Sequence, residues 1–448
     1  MNIRFTACIA IFLAVVVLVS TRPLKKRQWI KRQSAKTRGH GRRFNTAGSI
    51  PKLPPKHTRR IIKEHGKVPF VKVDGEVKSS YGKLILTVKP DAAESSVAEV
   101  LRNEKIRHVY SGNKRKGRGD AIIVENAQQS NLEKLRSRPD LFTEIEEDTT
   151  VFSMACYAHI VDMYTRYTWG LDRIDTPSIN WDNHLNIKGD GNGVDVYLLD
   201  TGIRKDHDEF TNTDGSSRVE DIYFSVFDDD GSDGHGHGTY LAGVIGGNTF
   251  GIAKKVTIIS VKVMRPDGKG DTSDVLRGIE WVKNTTRSRG RKSLVNMSIG
   301  GVLSEKLNDA VLDLLDEGIL PMVAAGNDYG EDACGYSPAS ASGVMTVGAS
   351  DPYDDVGYFS NTGSCVSIYA PGMWVESAWP TSTSDTMTIS GTSVATAHVT
   401  GAVAAYLSTL PVTKMTAEIV AETRSKFIAK ASPVLGTKNL PLLQVVTC

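Results

Sequence analysis

The sequence predicts an α/β fold preceded by a small α+β domain. Three observations carry this. Residues 194–199 and 320–325 are nearly continuous apolar runs that read as buried strands, ending in Asp200-Thr201-Gly202 and Gly326-Asn327. Stretches of small and apolar residues that read as buried helices follow Gly-rich turns, over 239–247 and from Ser393 through Leu407. Residues 81–151 alternate strand-like and helix-like segments in the order β-α-β-β-α-β, a ferredoxin-like arrangement. The 41 glycines show no three-residue period, which excludes collagen and suits turn-rich α/β structure.

Taken in order, the 448-residue chain has three electrostatic parts behind its net charge of +3. Residues 1–67 carry 17 Lys/Arg and one acid, Glu64; residues 68–154 are balanced; residues 155–448 hold 23 bases against 36 acids. Ala7 to Val19 is an unbroken apolar run after Arg4, the length of a signal-peptide core, so residues 1–21 are expected to be a signal and the product secreted; a signal anchor is the competing reading. No later run is long enough for a membrane span. Residues 22–67 are basic and poor in apolar side chains, and are expected to be an unfolded pro-segment with dibasic sites at Lys26-Arg27 and Arg59-Arg60. The competing basic arm for nucleic acid or membrane fits a secreted chain less well, and no nucleic-acid partner is expected.

In residues 68–154, strands are expected over 84–88, 106–110, 121–124 and 141–145, and helices over 92–103 and 128–136. In residues 155–448, Asp200 stands at the carboxyl end of a strand, where α/β sheets place their sites. His237 lies in Asp233-Gly-His-Gly-His-Gly, ahead of a helix. His235 and His237, two apart, do not share a helix face, and no metal is expected. Ser393 follows Ser390-Gly391-Thr392 at a helix N-terminus, where free N–H groups favour an oxyanion. Alone, each is an ordinary turn or cap. Together they supply a nucleophile, a base to take its proton, and a carboxylate to orient the base. Asn327 adds a side-chain donor beside the Ser393 N–H.

Cys8 leaves with a signal; Cys156, Cys334, Cys365 and Cys448 remain, and four cysteines allow three pairings. Asn284-Thr285-Thr286 and Asn296-Met297-Ser298 match the glycosylation pattern; the first is expected to be exposed, the second a chance match in a strand.

These stretches resemble subtilisin-type serine proteases, chiefly the proteinase K branch and its animal proprotein-convertase relatives, across most of residues 168–410. The resemblance implies a seven-stranded, mainly parallel sheet with flanking helices. It implies catalysis by Asp200, His237 and Ser393 with Asn327 as oxyanion donor. It places a polypeptide substrate as a β-strand beside Gly268, Lys269 and Gly270 and beside Ser298, Ile299 and Gly300, where glycine lets a peptide approach. Residues 81–154 resemble the family's inhibitor-type prodomain, which assists folding, is cut by the enzyme and then inhibits it; the cut is expected near Met154–Ala155. The likeness also pairs Cys334 with Cys365 and leaves Cys156 with Cys448.

Three departures stand out. Ala397 replaces a family Pro, Tyr240 replaces a second His, and Ser367 replaces a calcium-binding Asp. Altered packing is expected at Tyr240. A hydroxyl is a poor calcium ligand, so no cofactor is expected to be required, and a structural calcium is disfavoured at Ser367. Asp328, Glu331 and Asp332 are candidates for acidic cleft walls, whereas the proteinase K likeness implies a preference for apolar residues. Two functions follow: a secreted, monomeric endopeptidase made as a self-processing zymogen, or a chain that cuts itself once and then acts by binding, with its prodomain retained. An esterase of the α/β-hydrolase type would need Gly-x-Ser-x-Gly, absent around Ser393.

Overall fold

The computed structural model describes residues 58–74, 82–125, 127, 129–155, 168–179, 184–227, 229–433 and 441–445. The expected signal, most of the basic segment, and Cys156 and Cys448 lie outside the described residues.

The small domain holds β1 (Thr58–Ile62), β2 (Phe70–Asp74), β3 (Leu84–Val88), α1 (Glu94–Val100), β4 (Lys105–Tyr110), β5 (Ala121–Glu125), α2 (Gln129–Arg136) and β6 (Phe142–Glu147). Its sheet order is β1-β2-β6-β3-β5-β4. The last four strands make the expected ferredoxin-like sheet. Strand alternation splits its side chains between two cores. Leu84, Leu86, Ile122 and Val124 meet Val97, Val100, Leu132 and Leu135 of the two helices. Ile85, Ala121, Ile123 and Tyr110 point the other way and join a core of the large domain.

The expectation for residues 22–67 is corrected at its end. Thr58–Ile62 is a strand antiparallel to β2, so the folded domain begins before residue 68 and Arg59-Arg60 lies within a sheet. Its charges find partners far along the chain: Arg59 faces Glu144 and Glu305, and Glu64 pairs with Arg136. Composition alone cannot register such pairing.

After β7 (Thr150–Ser153), the large domain contributes β8 (Val194–Asp200), β9 (Phe224–Ser225), α3 (His237–Gly246), β10 (Thr257–Lys262), β11 (Lys269–Asp271) and α4 (Thr272–Arg289). Then come β12 (Lys292–Met297), β13 (Ile299–Val302), α5 (Glu305–Asp316), β14 (Leu320–Ala324), β15 (Tyr336–Ser337), β16 (Met345–Ser350), β17 (Ile368–Pro371) and α6 (Thr392–Ser408). Seven strands run parallel in the order β17-β16-β14-β12-β8-β10-β9. Two short C-terminal strands, Pro441–Leu442 and Ser432–Pro433, extend the sheet beyond β17. Every residue of β8 is buried, as a strand covered on both faces requires. α3 is buried along its whole length and α6 almost entirely, which is why both are built of small and apolar residues.

Candidate active site

The fold pairs Asp200 with His237 and sets Asn327 against Thr392, the residue before Ser393. Asp200 ends the interior strand β8, and His237 opens α3. His237 Nδ1 lies 2.7 Å and 2.9 Å from the two Asp200 carboxylate oxygens, with both side chains buried. A carboxylate only accepts, so Nδ1 is the donor, and in the neutral tautomer this fixes, Nε2 is the atom with the lone pair. Nε2 is buried without a hydrogen-bond partner among the described residues. A second bond, 2.8 Å from Thr201 N–H, holds Asp200 Oδ1 in place.

Ser393 is the second residue of α6. Its Oγ donates to the Ser298 carbonyl at 3.5 Å, so in this ground state the hydroxyl points at the cleft wall. Such bonds are commonly loose before the reacting geometry forms. Its N–H donates to the Met154 carbonyl oxygen at 3.1 Å. Asn327, just past β14, accepts at Oδ1 from Thr392 N–H (3.0 Å) and Thr392 Oγ1 (2.9 Å). This uses both lone pairs of the oxygen and leaves Nδ2 as the donor end of the side chain. Sequence reasoning missed this use of Thr392. It also missed the chain Thr400–Asn296–Ser298, in which Ser298 Oγ donates to the Ser393 carbonyl and ties the first turn of α6 to the cleft. The buried Asn296 spends its amide there, whereas Asn284 is exposed on α4.

Between the expected substrate-binding segments lies the chain itself. β7 is sandwiched antiparallel between β11 and β13: Lys269 faces Phe152, Gly270 faces Val151, and Ile299 faces Ser153 with Gly300 against Phe152. Ser153 N–H donates to the Gly268 carbonyl (3.1 Å) and Met154 N–H to the Ser298 carbonyl (3.0 Å). All six residues therefore flank residues 150–154 in β-strand fashion. The reason for glycine differs by position. A Cβ on Gly300 would stand 2.6 Å from Met154 Cε, so the Met154 side chain lies across it; Gly270 is instead crowded by the Val263 carbonyl of its own domain. Phe152 packs with Val73 and Val302, and Lys269 Nζ lies 5.9 Å from its ring centre.

The acids ahead of β7 hold the two domains together. The Asp148 carboxylate accepts from Ser273 N–H and Oγ in the first turn of α4. Glu146 accepts from Ser304 Oγ, the N-cap of α5. Burial first, then a neighbouring carboxylate, pushes Glu146 up to about 8 and Asp148 up to about 7. Further pairs cross the same boundary: Lys83–Asp271 at 2.6 Å, Arg107–Asp274 at 2.9 Å, and Tyr110 Oη to Asp313 at 2.8 Å.

Cys334 and Cys365 form a disulfide with a Cα separation of 5.4 Å. Asp328 and Asp332 are engaged locally, by the Asn361 amide and the Cys334 N–H respectively. Tyr240 is buried and donates to the Val375 carbonyl. Ser367 Oγ lies 3.5 Å from Arg424 Nη2, so the position where the family likeness has a calcium-binding Asp holds a neutral hydroxyl facing a cation.

The fold and this constellation define a serine protease of the subtilisin-like class. The chain belongs to the subtilase family, whose model matches residues 191–437. It is 40% identical over 297 residues to an extracellular serine proteinase of Thermus sp. (strain Rt41A), covering 66% of this chain and 67% of that one. It is 36% identical over 368 residues to Proteinase R of Parengyodontium album, covering 81% and 88%. The crystal structure of a cold-adapted subtilisin-like serine proteinase matches with a TM-score of 0.56 at 37% identity, over 63% of this chain and all of that one. The chain is therefore a serine-type endopeptidase.

Proposed function

We propose that this endopeptidase is a secreted, monomeric zymogen that processes itself at Met154–Ala155 and is then held by its own prodomain. The carrying observation is the seat of Met154: its carbonyl accepts from Ser393 N–H while the preceding strand is clamped on both edges. In this reading His237 Nε2 takes the Ser393 hydroxyl proton and Oγ attacks the Met154 carbonyl carbon. The developing oxyanion gains Ser393 N–H and the Asn327 amide as donors. His237 then protonates the Ala155 amine, and water releases the acyl group. Asp200 orients His237 and stabilises its cationic form. No calcium is needed at Ser367, because Arg424 supplies positive charge there. Secretion is supported by the apolar run after Arg4 and by the extracellular relative.

The test is self-cleavage of the purified full chain. The wild type should release a new N-terminus at Ala155, read by mass spectrometry, and Ser393→Ala should stay intact. A Ser393→Ala chain that cuts itself ends the proposal. The second reading, a binding protein with its prodomain retained, is favoured by the buried polar pairs across the boundary, among them Lys83–Asp271 and Arg118–Asp313. A cleaved but silent complex on a peptide library supports it, and steady turnover excludes it.

A further inference from the structure

Asp233 is four residues before His237, and its carboxylate accepts five hydrogen bonds. Oδ1 accepts from Thr201 Oγ1 at 2.8 Å, His235 N–H at 3.0 Å and Gly236 N–H at 2.8 Å. Oδ2 accepts from Thr239 N–H at 2.9 Å and Thr239 Oγ1 at 2.7 Å. Thr201 in turn accepts from Gly238 N–H at 3.0 Å, while its own N–H holds Asp200 Oδ1. A Cβ on Gly238 would collide with the Gly202 carbonyl, so the two turns touch backbone to backbone. One carboxylate thus joins the turn that carries Asp200 to the first turn of the helix that carries His237.

We infer that Asp233 is a positioning residue for catalysis, fixing the Asp200–His237 pair by bridging Thr201 to the N-terminus of α3. Such anionic capping is strong because charged acceptors bond N–H and O–H groups more tightly than neutral ones. Five bonds to one group also set the relative place of two segments that otherwise belong to different strand–helix turns. No hydrogen bond links Asp233 to the strand seated in the cleft among the described contacts, so its loss should act on turnover rather than on binding.

The inference rests on the triad reading, which Ser393→Ala tests separately; Asp233 is tested only once that variant is inert. The experiment uses the full chain, with kcat and KM measured on a peptide substrate after self-processing and normalised to covalently titrated active sites. Asp233→Ala should lower kcat per titrated site about 10²-fold, the scale of a misplaced catalytic group, with KM within about twofold. Asp233→Asn keeps the acceptor toward Thr201 and should recover part of the loss. Thr201→Val removes the Asp233 bond together with the acceptor for Gly238 N–H and should lower kcat about tenfold, and the double variant should fall short of the product of the two single losses, as for members of one network. A merely structural role would lower the titratable fraction and leave kcat per site unchanged, which overturns the inference. Independent, additive losses overturn it as well. Should Asp233→Ala fail to fold, Thr201→Val decides: wild-type kcat refutes the bridge, and a slowed enzyme with normal KM supports it.

Discussion

Gly391→Ala puts one methyl group where the cleavage segment lies. A Cβ there would sit well inside 3.0 Å of the Met154 carbonyl oxygen, 3.0 Å from Ala155 Cα and 3.4 Å from the Met154 carbonyl carbon. All three nearest neighbours belong to the seated segment. At φ 163° the backbone is extended, so alanine brings no strain of its own. The large domain should therefore tolerate the change while the seated bond does not. The carbonyl must retreat by roughly 0.5–1 Å to regain van der Waals contact. That stretches the 3.1 Å bond from Ser393 N–H beyond useful range. Misplacement of this size costs about 10²-fold in rate. The assay is the first-order appearance of the Ala155 N-terminus after refolding, with folding followed by circular dichroism. Gly335→Ala, whose Cβ would meet nothing within 4 Å, is the control. Gly300→Ala should lose only about fivefold, because its 2.6 Å clash is with the mobile tip of Met154 and overpacking of that kind costs about 1 kcal/mol. A folded Gly391→Ala chain that cleaves at the wild-type rate would refute the seating of Met154 on which the mechanism rests.

Affinity of the small domain, as the proposed prodomain, should fall as pH rises. Glu146 and Asp148 stand at about 8 and about 7 in the folded, docked chain, raised first by burial from ordinary values of 4.5 and 3.8, so the part of that burial made on docking takes up protons. Affinity from these groups is complete below their free values and is lost as pH climbs through about 4 to about 8. Inhibition constants measured across that window should show the slope, and Glu146→Gln with Asp148→Asn should flatten it; a slope of opposite sign contradicts the assignment. Asn327→Ala should lower kcat by about 10²–10³ with little change in KM, the cost of removing one oxyanion donor. It should also destabilise the fold by about 1–3 kcal/mol through the two unpaired Thr392 donors, read by urea unfolding. Replacing Cys334 and Cys365 by serine opens a bridge across 31 residues and should cost about 3–4 kcal/mol, seen as a lower unfolding midpoint with unchanged turnover per folded molecule.

Much of the site was legible because its chemistry is local. Asp200, His237, Ser393 and Asn327 each stand where a buried strand or a Gly-rich turn meets its neighbour, and a turn's composition shows in a few consecutive residues. The four-strand core of the small domain was legible for the same reason: alternation in 84–88 and 121–124 reports two buried faces. β1 was not, since a basic stretch gives no sign that Arg59 will meet Glu144 and Glu305. Nor was Thr392 as the anchor of Asn327, because a threonine before a helix reads as an ordinary cap.

By itself, then, the sequence determined the element order from β3 to β6 and singled out Asp200, His237, Ser393 and Asn327, since these depend on residue type and short-range order, while the segment ending at Met154 came from the family likeness. Only the tertiary structure decided that this segment lies between β11 and β13, that Glu146 and Asp148 dock on two helices, and that Asp233 ties the Asp200 turn to the His237 helix. Those outcomes are contacts between residues tens to more than two hundred positions apart. Hydrogen-bond geometry across such distances exists only after the chain has folded.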